Sequence, residues 1–454
     1  MESMISQVRH TKKIHISLIL GVLTFRISLD FVYKNMISVL YESYNFEYRP
    51  NNYNLVLSYL LLIIITSILA TIFDSKKPSS ILILLLYIMS YIPNTALYYG
   101  LGLPHYFLLY SSLFWMVMII SHPFICKIKF TGIKFKNNLA TTRCVRFIPI
   151  AFLLIIIVFS AFYNNLFITL DLSIVYDLRT VAKEKAFGGV MSRLIHWAGN
   201  VVFPVSAAIA LKNRKYLTLA VFTFAQILTF SLAGTKTYLF AFAFSIIGVL
   251  IINSDKYFKY LPFAMTGITV VGYILYKWFN AVFISNYIMR RVLFTTSYNT
   301  WGYVEYFTNN EKLYLRHSFM SWVSSFGIDI PYAENFSSFM GELLYNRPDA
   351  NVPAGTVGDA YSNLGIFGLI LYPLIIVIMF RLLDKVTKNI HFACVLPVII
   401  TTVEYMLNGN VFSIMLTYGY LFAVIYFYFL SKTGLFIKPN KRWRFRKSSN
   451  TLSD

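Results

Sequence analysis

Leu55-Val-Leu-Ser-Tyr-Leu-Leu-Leu-Ile-Ile-Ile-Thr-Ser-Ile-Leu-Ala-Thr-Ile-Phe73 runs without a single charged side chain. Coiled at about 1.5 Å per residue, it reaches across a bilayer core of about 30 Å. Phe147–Ile168, Tyr238–Val249 and Val411–Leu430 are long apolar runs of the same kind. Backbone groups in lipid must bond within their own segment, so such runs are helices. A barrel would show short alternating segments, and these runs are continuous. The whole chain agrees: 57% of its 454 residues are hydrophobic and 13% are charged, about half the charged share of a water-soluble protein.

Extended along the chain, the pattern predicts an all-α, polytopic integral membrane protein. It has twelve spans near 14–36, 54–74, 79–99, 105–125, 147–168, 197–211, 216–233, 236–253, 260–282, 364–383, 391–408 and 411–431. The sixth is the shortest. Residues 1–454 read as one membrane domain with no internal repeat. The formal charge of +21 sits mainly in short clusters between the runs, which is an orientation signal and not a nucleic-acid surface. Arg9, Lys12 and Lys13 precede the first span; Lys76 and Lys77 follow the second; Lys127, Lys129, Lys134, Lys136, Arg143 and Arg146 follow the fourth. Lys212, Arg214 and Lys215, then Lys256 and Lys259, then Lys385 and Lys388, and the basic tail 432–454 continue the series. With twelve spans all of these share one side, the cytoplasm, and both termini are inside. The first run carries Arg26, Asp30 and Lys34 and no small-residue cleavage site, so no cleaved signal peptide is expected.

The opposite side receives two long loops, 169–196 and 283–363. The second holds Trp301, Trp322, Phe336, Phe339 and Met340, too apolar for a solvated chain. Phe336, Phe339, Met340, Leu343 and Leu344 recur at helical spacing, which predicts an amphipathic helix over 334–345. Cys126, Cys144 and Cys394 fall at or beside cytoplasmic helix ends and form neither a disulfide framework nor a metal motif. Walker A, dinucleotide and H-E-x-x-H sequences are absent, as is an external Asp-x-Asp.

What remains is a set of external cations. Arg179, Lys183, Lys185 and Arg193 lie in the first loop, Lys236 in the turn Ala233-Gly-Thr-Lys-Thr237, and Arg290, Arg291, Arg316 and Arg347 in the second loop. They run against the positive-inside bias. Arginine forks and lysine point charges at an outer membrane face suit a lipid-linked pyrophosphate. Ion pairing with Asp177, Glu184, Glu305 or Asp349 is the competing reading of each cation taken singly. His317, Glu342 and Asp359 are candidate bases for a sugar hydroxyl, and Glu305 shares a helical face with Tyr298 and Trp301. Tyr298, Trp301, Tyr303, Tyr306 and Trp322 suit sugar stacking or, more simply, an interfacial aromatic belt. His196 reads as a satisfied histidine at the membrane edge. Arg26, Asp30 and Lys34 can pair within the first span, and Glu404 lies near Asn408 in the eleventh. Such intramembrane charges are where a transporter reading would start.

Four stretches carry a resemblance. They are Tyr176-Asp-Leu-Arg179 with Gly188-Gly189 and Arg193; Ala233-Gly-Thr-Lys236-Thr; Arg290-Arg291-Val-Leu-Phe with the aromatic run to Tyr306-Phe307; and Gly355–Asp359 with Tyr361-Ser-Asn-Leu-Gly365-Ile-Phe-Gly368. In these the chain resembles the bacterial O-antigen and oligosaccharide repeat-unit polymerases, the Wzy family, within the polyprenyl-dependent membrane glycosyltransferases. The likeness is strongest over 176–384, and Lys236 stands where the family usually has arginine. The resemblance implies a glycosyltransferase in the bacterial cytoplasmic membrane, acting on its outer face; with no external Asp-x-Asp and a leaving group that already carries charge, neither cofactor nor metal is expected. It would move a growing glycan from undecaprenyl pyrophosphate to a new lipid-linked unit. Arg179, Arg193, Arg290 and, by position, Lys236 would hold the pyrophosphate. The implied partners are the lipid-linked oligosaccharide, the bilayer and a chain-length regulator protein. A ligase-type transferase and a flippase of lipid-linked sugars are the alternatives; a transporter would carry its cations near the midplane.

Overall fold

Phe147, Ile150, Leu154, Val158 and Phe162 recur at helical spacing and all stay exposed, while Phe152 and Ile156 across the same helix are buried. A helix that is apolar on both faces is suited to lipid and not to water. The computed structural model describes residues 2–128, 139–171, 174–184, 189–251, 255–317, 332 and 336–432. Lys129, Lys134, Lys136, Lys185, Trp322, residues 334–335 of the expected amphipathic helix and the basic tail beyond 432 lie outside them. So do the side chains of Arg143, Cys144, Lys183 and Glu184.

The described chain is all-helical, and ten of its helices are long and apolar enough to cross a membrane. It is a multi-pass membrane protein. In chain order the helices are α1 (Ile16–Leu40), α2 (Asn52–Ile72), α3 (Pro78–Gly100), α4 (His105–Lys127), α5 (Val145–Asn164), α6 (Val175–Glu184), α7 (Gly189–Lys212) and α8 (Tyr216–Ala233). They continue with α9 (Lys236–Ile251), α10 (Tyr257–Phe279), α11 (Thr295–Asn309), α12 (Phe336–Tyr345), α13 (Gly355–Thr387), α14 (Phe392–Asn408) and α15 (Val411–Lys432). The eighth and eleventh expected spans are α9 and α14, which at 16 and 17 residues are the two shorter apolar helices.

Two hydrophobic cores organise the bundle. The larger joins α1–α4 with α11–α15. The smaller joins α5, α7, α8 and α9 through Phe152, Ile195, Phe203, Phe222, Leu228 and Tyr238. Ile148 and Phe422 pack against both.

Three segments differ from the sequence reading. The sixth span begins at Gly189, not near 197, because a π-helical stretch at Ala198–Val202 carries the helix on without a break. Arg193 and His196 therefore stand on α7 and not in a loop. The start of the second long loop is no loop either. Ser285–Phe294 is π-helical and runs directly into α11. Thr296, Ser297, Tyr298, Thr300, Gly302, Tyr303 and Phe307 are buried there; the hydroxyls of Thr296, Ser297 and Thr300 bond carbonyls of the same helical stretch, as Thr300 Oγ1 does with the carbonyl of Thr296 at 2.9 Å. A helix lined with hydroxyls scores as polar while being fully enclosed. The third difference is in α13, which starts at Gly355 and kinks at Gly365 (φ 59°, ψ −140°), a conformation reserved for glycine. The amphipathic helix is present as α12: Phe336, Met340 and Leu344 are buried, and Phe339, Glu342 and Leu343 are exposed.

Candidate functional site

The tight turn between α8 and α9 is the starting point. Gly234 closes α8 in the left-handed conformation (φ 60°), with its N–H bonded to the Phe230 carbonyl. A Cβ there would lie 2.9 Å from Leu178 Cβ, 2.9 Å from the Val175 carbonyl oxygen and 3.0 Å from the Arg179 nitrogen. Glycine thus lets α6 lie directly on the turn. The contact is fixed by Arg179, whose Nε donates to the Gly234 carbonyl at 2.8 Å. Lys236 begins α9 immediately beyond.

The next residue, Thr237, donates its hydroxyl to Glu404 Oε1 at 3.0 Å, near the end of α14. The charges of Arg291 and Arg179 both act on that carboxylate. Glu404 Oε2 is removed from solvent and makes no hydrogen bond of ordinary geometry. Asn408 holds the helix end by donating to the Glu404 carbonyl at 3.1 Å. The fold thus seats Arg179 on the Lys236 turn and ties the next residue of that turn, Thr237, to Glu404, while Arg291 is exposed. The acid lies in the larger core's α14 while α6, α8 and α9 approach from the side of the smaller core.

The floor of this place is built from tyrosines. Tyr405 and Tyr418 stack at 4.0 Å. His196 meets the Tyr418 ring edge-on and bonds the Tyr238 hydroxyl through Nδ1 at 2.7 Å, which is the satisfaction expected of it. Asn200 accepts from the Tyr405 hydroxyl at 3.3 Å and donates to the Tyr418 carbonyl at 3.2 Å. A small cavity opens here, lined by Val201, Thr401, Thr402, Tyr405, Tyr418 and Tyr420. Sequence reasoning singled out Glu404 only as an intramembrane charge and missed Thr237, Asn200, Tyr405 and Tyr418. The available signal was the polar cluster Glu404-Tyr405 with Asn408 closing an otherwise apolar helix.

The other predicted residues go elsewhere. Arg290 and Arg291 are neighbours in sequence and serve different places. Arg290 Nε and Nη2 both donate to Asn286 Oδ1, at 2.9 and 2.6 Å, and its guanidinium lies over the rings of Tyr41 (5.0 Å) and Tyr44 (4.6 Å). Arg347 also lies over Tyr44, at 5.7 Å. Arg193 is exposed on α7, and Arg316 pairs with Glu311 at 3.7 Å. Tyr298 is only 5% exposed, enclosed by Phe46, Trp301 and Tyr345; no face of its ring is open to a sugar. Trp301 is half-buried beside it. Glu305 accepts from the Tyr106 hydroxyl.

Of the three candidate bases, Asp359 is buried and committed. Its Oδ2 accepts from the Val411 N–H at 3.0 Å and its Oδ1 from Asn363 Nδ2 at 2.9 Å, so it ties α13 to the start of α15. Glu342 is exposed on α12. His317 sits beside the rings of Tyr332 and Phe336, its Nε2 buried without a hydrogen-bond partner, and burial pushes its pKa below the usual 6.5.

Comparison of the chain with family models, with curated proteins and with solved structures returns no match.

Proposed function

We propose that this chain is a membrane glycosyltransferase that polymerises lipid-linked oligosaccharide repeat units. The observation that carries the reading is Arg179 seated on the Lys236 turn, whose next residue Thr237 bonds Glu404, with the charges of Arg291 and Arg179 acting on that acid. The distribution of Lys and Arg supplies the orientation: twelve helices, α9 and α14 among them, both termini in the cytoplasm, and the Glu404 end facing outward.

In this reading Arg179, Arg291 and Lys236 hold the pyrophosphate of an undecaprenyl-linked glycan. The acceptor hydroxyl of a second lipid-linked unit attacks the donor's anomeric carbon. The new C–O bond forms as the bond to the pyrophosphate oxygen breaks, and the negative charge collects on the leaving group between the cations. Glu404, held near the end of α14 with one carboxylate oxygen bonded by Thr237, takes the hydroxyl proton. Asp359 and Tyr298 become structural supports for the scaffold, and Arg290 orders the segment around Tyr41 and Tyr44.

The buried pair in α1 does not favour transport. Arg26 pairs with Asp30 and donates to Thr95 and Ser58, and Tyr59 donates to Asp30; every partner is accounted for within the scaffold.

The test is incubation of the purified protein with its lipid-linked repeat unit in the presence of a chelator. A ladder of products is expected from the wild type. Arg179→Ala, Arg291→Ala and Glu404→Gln should leave single units. A single transfer to a different acceptor would mark a ligase instead. A normal ladder from Arg179→Ala and Glu404→Gln, at wild-type protein level, overturns the assignment.

A further inference from the structure

A second cluster of chemically able side chains lies at the other end of the bundle. Asp359 and Asp384 are both on α13, and 25 residues of helix place them tens of ångströms apart. Near Asp384, His122 and Cys126 stand one helical turn apart on α4, with Cys126 Sγ 3.5 Å from His122 Nε2. Ser79, at the start of α3, completes the group: its Oγ is 2.8 Å from His122 Nε2 and donates to Asp384 Oδ2 at 2.6 Å, and its N–H donates to Asp384 Oδ1 at 2.8 Å. The ligand atoms of His122, Cys126 and Asp384 all lie within 4.8 Å of one another. Ser79, His122 and Asp384 are buried.

This is not a nucleophile–base–acid relay. There the histidine stands between hydroxyl and carboxylate, whereas here the hydroxyl stands between histidine and carboxylate. Three ligand types converging in a buried place at one point suit a different task.

We propose that His122 Nε2, Cys126 Sγ and the Asp384 carboxylate bind one zinc-class divalent cation, with Ser79 Oγ or a water as the fourth ligand. Mixed nitrogen, sulfur and oxygen donors match a borderline ion, not magnesium or calcium. Zn–N bonds of about 2.0–2.1 Å and a Zn–S bond of about 2.3 Å span a tetrahedral edge close to the 3.5 Å that separates Nε2 from Sγ. Binding removes the thiol proton, so one thiolate and one carboxylate offset the two charges of the ion; Arg381 Nη1 lies 3.9 Å from Asp384 Oδ2 at the edge of the group. The Ser79 N–H already orients the carboxylate. Such an ion would staple α3, α4 and α13, far from Glu404 and independently of the transferase reading.

The experiment uses the full-length protein in detergent, purified through a tag without histidine. Metal content is measured by mass spectrometry, and Co²⁺ is added to the metal-free protein. The expected result is one equivalent of metal, a thiolate-to-cobalt charge-transfer band, and one proton released per ion. Cys126→Ser should abolish the band, and His122→Ala should weaken binding at least tenfold. Absence of the band and of stoichiometric metal in the wild type overturns the proposal, leaving only a hydrogen-bonded cluster. So does unchanged binding in Cys126→Ser. Because the band and the proton release are read on the wild type, misfolding of a variant does not shelter the idea.

Discussion

Replacing Gly234 by alanine should loosen the packing of α6 on the turn between α8 and α9 through Arg179. The position has φ 60°, and a left-handed backbone with a Cβ costs roughly 1–2 kcal/mol. The new methyl would also press on the Val175 carbonyl and on Leu178 at 2.9 Å. Helix α6 can then stay and bear an overpacking cost of about 1–3 kcal/mol. Alternatively it withdraws and forfeits the 2.8 Å bond from Arg179 to Gly234, about 1.5–3 kcal/mol for a charged donor. The cheaper of the two applies, so the total loss is about 2–5 kcal/mol. In an Arg179→Ala background the bond is already gone and α6 withdraws freely. There Gly234→Ala should cost only the backbone strain, roughly 1–2 kcal/mol. Equilibrium unfolding of the four proteins in mixed micelles reads the cycle. The double mutant should lose less than the sum of the singles by about 1–3 kcal/mol. Additivity within about 0.5 kcal/mol, or a silent Gly234→Ala, would refute the claim that this glycine exists to seat Arg179.

Other expectations concern the scaffold. Asp359→Ala strips partners from the Val411 N–H and from Asn363 and should cost about 2–4 kcal/mol in the same unfolding assay; a stable variant lacking only activity would restore Asp359 as a base. Arg26→Ala leaves Asp30 buried without its ion-pair partner and should lose about 3–5 kcal/mol, whereas an apolar replacement of both should be far milder. His317 has a folded pKa below its unfolded 6.5, so its contribution to order is present above 6.5 and lost as pH falls through the folded value. Protection from hydrogen exchange in 302–317 and α12, taken relative to the intrinsic rate at each pH, should therefore fall below pH 6.5, and not in His317→Phe; an equal fall in both would sink the assignment.

The likeness between prediction and fold is uneven for a physical reason. Helices such as α2 and α5 are legible because hydropathy is a property of a continuous segment. Helix α12 is legible because its apolar positions repeat every turn. Helix α11 was not, because Thr296, Ser297 and Thr300 satisfy their hydroxyls on their own helix. A local scale scores them as polar while the bundle encloses them. At the site, Arg179 and Lys236 were legible as cations, yet their meeting at the Gly234 turn and the bond from Thr237 to Glu404 were not. Arg290 and Arg291 looked equivalent until the π-helical turn placed one against Asn286 and the tyrosines and left the other exposed.

The sequence by itself determined that this chain lives in a bilayer as helices. Lipid offers the backbone no hydrogen-bond partner, so a long apolar segment such as Leu55–Phe73 has one way to satisfy itself. Only the tertiary structure decided which distant residues share a place: Arg179 with Gly234, Thr237 with Glu404, and His122 and Cys126 with Asp384. Those meetings depend on how helices rotate and cross when they pack. That geometry is set by contacts between segments hundreds of residues apart, which no local pattern records.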